Sequence, residues 1–209
     1  SNAERIAYVI DYSASMKGAR EALMRKELTT SLKKVPYDSK YQLIFFAGPA
    51  WVGGFNVQMA KGNKGADVKG AKGHTFEWKC TGGAHDWKTV GKEQVPEWLV
   101  ATDPQLSKSQ KVANETKLVW GTIWEPALEM ALRMDPQPQV IYFMTDGSAG
   151  PESGKTAERI GAKAKSKGIV IHTVALMEPK AHKAMDELAK RTGGSFTVVE
   201  QGGKVKKMR

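Results

Sequence analysis

The sequence predicts a three-layer α/β/α domain built on a mostly parallel central sheet, and three observations lead there. Apolar runs with the length of buried strands alternate with longer amphipathic stretches, the pattern of a parallel sheet joined by crossover helices. One close pair, Tyr41-Gln-Leu-Ile-Phe-Phe46 and Trp51-Val-Gly-Gly-Phe55, is separated only by a short Gly48-Pro49 turn, too tight for a helical crossover, so one antiparallel edge strand is expected. Two apolar strands also end in an aspartate, Asp11 and Asp146, at the carboxyl edge where open α/β sheets bind ligands. With 209 residues, 41% of them hydrophobic, the chain is long enough for one domain with a sizeable core.

The elements follow in order. The run Ile6-Ala-Tyr-Val-Ile10 gives a strand near 5–10, followed by a helix near 17–33 and the hairpin strands near 40–47 and 51–57. Thr122-Ile-Trp-Glu125 fits a capping box with Pro126 in the first turn, opening a helix near 125–134. A strand near 140–145 ends at Asp146-Gly147, and a helix near 154–167 is capped by Ser153 or a neighbour. Ile169-Val-Ile-His-Thr-Val gives the strand near 169–175; a helix near 180–192 ends at Thr192-Gly-Gly194, before a last strand near 195–199.

Residues 56–111 break this rhythm. The stretch is rich in Gly and Lys, carries Trp78, Trp87 and Trp98, and offers one short helix around 93–101. Neither side of it forms a complete sheet alone, so it is an excursion from a single domain spanning 4–201. Loops this long are usually functional or disordered. The tryptophans serve either as contact surface for a partner or as cover for the sheet edge. Ser1-Asn2-Ala3 reads as the scar of a removed expression tag, and 202–209 as a basic tail, so the chain is expected to be a piece of a longer protein.

The net charge of +10 is spread along the chain, and its densest run, Lys204-Val-Lys206-Lys207-Met-Arg209, reads as a solvated segment and not a nucleic-acid contact. No apolar run approaches the roughly 18 residues that cross a bilayer. A membrane would be reached only through a segment outside this sequence. The single cysteine excludes an intrachain disulfide.

Chemistry gathers at the carboxyl edge. Asp11-Tyr-Ser13-Ala-Ser15 delivers three oxygen-bearing side chains there, and Thr122 and Asp146 can converge on the same place. Small, hard oxygen ligands suggest a divalent cation. Each residue also has a structural use: Asp11 and Ser13 as helix caps, Thr122 in its capping box, Asp146-Gly147 as a turn. Independent caps have no reason to gather at one edge.

In this order and on these elements, Asp11, Ser13, Ser15, Thr122 and Asp146 resemble the metal-ion-dependent adhesion site of the von Willebrand factor A family, bacterial type. The resemblance spans nearly the whole chain and includes Ile171-His-Thr-Val174 and Thr192-Gly-Gly194. It implies Mg²⁺, or Mn²⁺ or Ca²⁺, held directly by Ser13 and Ser15. Thr122 and Asp146 trade direct and water-mediated roles, and Asp11 acts largely through water. Three neutral hydroxyls with two carboxylates leave the metal electrophilic. The resemblance therefore implies a binding device, not an enzyme, accepting a Glu or Asp of another protein. Glu152, close in sequence to Asp146, is the acid of this chain that could occupy that position instead, which would contradict the partner reading. It also suggests an extracytoplasmic place on the cell envelope.

Three rivals remain. Ala149-Gly-Pro-Glu-Ser-Gly154-Lys155-Thr156 is a relaxed phosphate-binding loop and implies an NTP-binding enzyme. Against this, Glu152 would face the phosphates, and the metal-binding aspartate would have to precede the loop. His74, Cys80, His85 and Asp86 could be drawn as a zinc site, but their spacing matches no compact motif. His172 is expected to be a satisfied core or edge histidine. A scaffold with a purely structural metal site is the third alternative.

Overall fold

The computed structural model describes residues 3–147 and 149–209; Ser1 and Asn2 of the expected tag remnant lie outside the described residues. β1 (Arg5–Asp11) leads through α1 (Ala19–Leu32) to β2 (Lys40–Phe46), which turns back as β3 (Ala50–Val52). The chain then builds β4 (Asn56–Met59), β5 (Gly65–Lys69), β6 (Thr75–Cys80) and β7 (Trp87–Val90). It returns as β8 (Leu99–Val100) and continues into α2 (Asp103–Glu115) and α3 (Glu125–Leu132). The second half runs β9 (Val140–Thr145), α4 (Ser153–Ser166), β10 (Val170–Leu176), α5 (His182–Thr192), β11 (Phe196–Val199) and β12 (Val205–Lys207).

The main sheet has the order β12-β11-β10-β9-β1-β2-β3, with β8 also on β2. Its five central strands are parallel and sit inside the core, which is why β1, β2 and β9 read as continuous apolar runs without alternation. α1 packs against α2 on one face, and α3, α4 and α5 pack together on the other. One aromatic cluster fills each side: Tyr12, Phe45 and Trp51 pack in tilted and edge-on contacts under α2, while Trp124 meets Phe143 edge-on beneath α3.

Three expectations need correction. Antiparallel pairing is not confined to one edge strand: β3 and β8 both pair β2 in this sense, and β12 pairs β11 at the opposite edge. The basic tail is therefore partly built into the sheet, because its backbone can complete β11 whatever its side chains carry. No helix forms around 93–101. That stretch is extended and irregular, and the helix comes later as α2, announced by Thr102-Asp103-Pro104, a helix-start signal that its weak apolar face obscures.

The excursion is an antiparallel sheet of its own, in the order β4-β5-β6-β7, with alternating buried and exposed positions on β6. Trp78 and Trp87 are buried in the shared core and Trp98 is half-buried, which removes two of the three from any partner-facing surface. Trp87 lies against Gly48 and Gly121, at distances where an added Cβ would come within 2.2 Å and 2.6 Å of its indole. Gly121 also has φ +92°, the left-handed region that glycine tolerates. Gly121→Ala is therefore expected to lower stability by about 2–4 kcal/mol, from backbone strain plus overpacking. Urea unfolding of the two proteins measures this; an unchanged midpoint would mean that the Trp87 contact is not a fixed part of the fold.

Candidate metal centre

β1 lies between β2 and β9, with Ile10 opposite Met144, so the chain ends of β1 and β9 emerge side by side. Asp11, the last residue of β1, is fully buried. Its Oδ1 accepts the Ser13 N–H at 2.8 Å, and its Oδ2 accepts the Thr145 hydroxyl at 2.6 Å. The first bond bends the chain back after the strand and turns both serines to one side. Ser13 Oγ and Ser15 Oγ are then 2.9 Å apart, and Ser15 Oγ donates to Asp146 Oδ1 at 3.3 Å.

Four of the five expected ligands are thus linked, Ser13, Ser15 and Asp146 through their side-chain oxygens and Asp11 through the Ser13 N–H. Thr122 is brought near by its backbone. Its segment is laced along the carboxyl edge: Val119 N–H donates to Tyr12 O, Ala14 N–H to Val119 O, and Ile123 N–H to Ala47 O. Among the described residues, no hydrogen bond joins the Thr122 hydroxyl to the cluster.

Charge at the site is unbalanced. Burial, and after it the neighbouring Asp146 carboxylate, push Asp11 from 3.8 up to about 7, while hydrogen bonds from Ser13 and Thr145 pull the other way. The cation at hand is Arg20, on the first turn of α1, whose guanidinium is 3.2 Å from Asp146 Oδ2 and 3.7 Å from Glu178 Oε2. Arg20 is about a third exposed, so solvent weakens the pair.

The donor set fits a small divalent ion. It consists only of carboxylate and hydroxyl oxygens, and the contacts of 2.9 Å and 3.3 Å bracket the spacing of adjacent ligands around an octahedral ion with bonds of about 2.1 Å, which is about 3.0 Å.

Sequence reasoning missed Thr145, Arg20 and Glu178 as part of this site. Thr145 immediately precedes Asp146, and Glu178 follows β10 at the same edge, so the rule that selected Asp11 and Asp146 could have found them. It also missed the hairpin tip between β6 and β7. There Ala84 O accepts the Thr122 N–H at 2.8 Å, His85 Nδ1 lies 2.6 Å from Thr122 O, and the His85 ring lies over Gly150.

The rival motifs have other uses. Glu152, expected to be able to reach the site, is exposed and pairs with Lys155 at 3.2 Å; the acid beside Arg20 is Glu178. In the phosphate-loop candidate, the Ser153 and Thr156 amides already donate to Gly150 and Glu152 carbonyls. Ser148, between strand and loop, lies outside the described residues. His74, Cys80, His85 and Asp86 form no ligand group, and among the described residues no cluster of three His, Cys, Asp or Glu could hold a metal. His172 is satisfied by Ser195, whose N–H it accepts at 2.9 Å.

A von Willebrand factor type A protein from Catenulispora acidiphila superposes with TM-score 0.67 at 13% identity, over 94% of this chain and 38% of that one. The chain has the von Willebrand factor A fold. BatB from Bacteroides thetaiotaomicron, described as a conserved hypothetical protein, gives TM-score 0.59 at 13% identity, over 94% of this chain and 90% of that one. Proximal thread matrix protein 1 from the mussel byssus, with a zinc-occupied MIDAS motif, gives 0.58 at 15% identity, over 95% and 42%. The chain thus spans well under half of the Catenulispora and mussel chains. No protein-family model and no curated protein matches the sequence. Among the described residues, no helix of this von Willebrand factor A fold is long and apolar enough to cross a membrane.

Two outcomes are expected for the cation-free protein. Because Asp11 holds its proton more tightly folded than unfolded, its contribution to stability is fully present below about pH 4 and is lost as pH rises to about 7. Asp11→Asn should flatten that loss, read as the difference in urea midpoint between pH 5 and pH 7.5 for mutant and wild type; parallel pH profiles would contradict it. Arg20→Met should cost about 1 kcal/mol without metal, given its exposure.

Proposed function

We propose that this domain recognises other proteins through a divalent cation held by Asp11, Ser13, Ser15, Thr122 and Asp146. The observation that carries the reading is the linked oxygen cluster of Asp11, Ser13, Ser15 and Asp146 at the carboxyl edge, with a buried carboxylate whose charge nothing nearby fully balances. The zinc-occupied MIDAS motif of the mussel protein on the same fold supports it. When bound, the cation supplies an electrophilic position for one more oxygen ligand, and Mg²⁺ suits the hydroxyl-rich set, with Mn²⁺ or Ca²⁺ as alternatives.

Around it, this chain's residues divide the work. Ser13 and Ser15 face the cation as neutral donors, Asp146 supplies charge, and Asp11 holds the turn that aims the serines. Thr122 joins from its laced loop. A glutamate or aspartate of the partner completes the set, so the domain acts as a binding module and not as an enzyme. Arg20, beside Asp146, is free to exchange that carboxylate for the incoming one.

Thermal unfolding with and without Mg²⁺ or Mn²⁺ tests the reading. An ion present at a hundred times its Kd stabilises the native state by about 2.7 kcal/mol. Wild type should show such a shift, and Asp11→Ala should abolish it while keeping the circular dichroism of the fold. No shift and no calorimetric binding at millimolar Mg²⁺ or Mn²⁺ would sink the proposal. Lys155→Ala should leave metal binding untouched, whereas ATP binding that depends on Lys155 would favour the nucleotide enzyme instead.

A further inference from the structure

Away from the metal centre, where the insertion sheet leans over the β2 edge, lies a hollow of ≈ 640 Å³. That is within the range of about 300–1,000 Å³ typical of small-molecule sites. Its walls come from four separate pieces of chain: the β2–β3 edge, the β5–β6 hairpin, the returning segment 92–99, and α2. Leu43, Phe55, Phe76, Trp98 and Val112 give it an apolar interior.

Polar bonds behind these walls hold them apart. Buried Gln94 accepts from Val52 N–H and donates to Ala50 O, tying the returning segment to β3. Gln42 donates to Glu97 O, Tyr41 bonds Ser109 on α2 at 2.7 Å, and Trp98 donates to Pro136 O. A hollow of this size, braced on three sides, is a preformed receptacle.

Two observations define what it takes. The first is charge at the mouth. Lys72, Lys92 and Lys108 line the hollow, and among the described residues none of them enters an ion pair. Of the two acids there, Glu93 is neutralised by Arg133 at 3.3 Å, leaving only Glu97. The second is the state of the β2 backbone. Leu43 N–H is already taken by the Gln42 side chain and Leu43 O by Gly53 N–H, so this stretch of edge has no free ladder for an added peptide strand.

We propose that this hollow binds a small organic anion with an apolar body, of the medium-chain fatty-acid class: the chain lies against Phe55, Phe76 and Trp98, and the carboxylate meets the lysines. The site is independent of the cation and of any partner bound there. The same chemistry reaches a protein either as free acid or at an anionic lipid surface, and the concave, braced walls favour the free acid.

The test uses dodecanoate below its micellar concentration, 1-dodecanol as the uncharged analogue, and displacement of the fluorescent probe 8-anilinonaphthalene-1-sulfonate. Wild type should bind dodecanoate and release the probe. The triple variant Lys72→Ala, Lys92→Ala, Lys108→Ala, changed only at exposed positions, should bind dodecanoate about tenfold more weakly and dodecanol unchanged. Val112→Trp, which fills the hollow, should lose both. If wild type binds neither probe nor dodecanoate, or if the triple variant binds dodecanoate as wild type does, the proposal is wrong. Co-sedimentation with phosphatidylglycerol vesicles that survives Val112→Trp would overturn it in favour of a flat lipid contact. Should Val112→Trp not fold, the contrast between dodecanoate and dodecanol in the lysine variant still decides.

Discussion

Asp11 sits fully buried at the end of β1, and much of the upper edge is arranged around satisfying that carboxylate. Its two oxygens are claimed by different parts of the chain, one by the Ser13 amide just ahead of it and one by the Thr145 hydroxyl of the neighbouring strand. The first contact shapes the turn that faces the two serines together; the second fixes the height of β9 against β1. A buried carboxylate is costly unless it is hydrogen-bonded and balanced by charge. Here the hydrogen bonds are supplied, while the nearby cation, Arg20, pairs with Asp146 and leans toward Glu178, leaving the Asp11 charge without a direct counter-ion among the described residues. That condition is what supports the proposal of a cation there.

The insertion contributes in a way that its composition conceals. Its hairpin tip reaches across the edge of the sheet and holds the Thr122 peptide from both sides, through Ala84 O and the His85 ring. Behind it, Trp87 fills the space that two glycines leave open. The Thr122 loop is thus supported by the main sheet below and by the insertion above, and the hollow lined by Lys72, Lys92 and Lys108 lies where the same insertion bridges the β2 edge.

The parallel sheet and the paired carboxylate ends were legible in the sequence because both follow from local rules. Continuous apolar runs such as Ile6-Ala-Tyr-Val-Ile10 mark strands buried on both faces, and a polar residue ending such a run must emerge at the edge. What could not be read has a physical cause in each case. The strands of the insertion are short and half-exposed, so Thr75-Phe-Glu-Trp-Lys-Cys80 alternates too briefly among glycines and lysines to stand out. α2 presents only a thin apolar stripe. The pairing of Lys206 with Val198 depends on a backbone ladder that side chains do not announce. Arg20 joined the site through a contact between elements remote in sequence, which no spacing rule reports.

The contact of Trp87 with Gly48 and Gly121 has a consequence for engineering the domain. An insertion that merely hung from the sheet could be trimmed to a minimal scaffold, or swapped for another to change specificity, as loops on rigid frames often can. This one would leave an indole-sized gap and an unsupported Thr122 amide when removed. Any graft must therefore bring its own flat aromatic ring and its own carbonyl to the same two places, so the modular boundary of this fold runs outside the insertion and not across its neck.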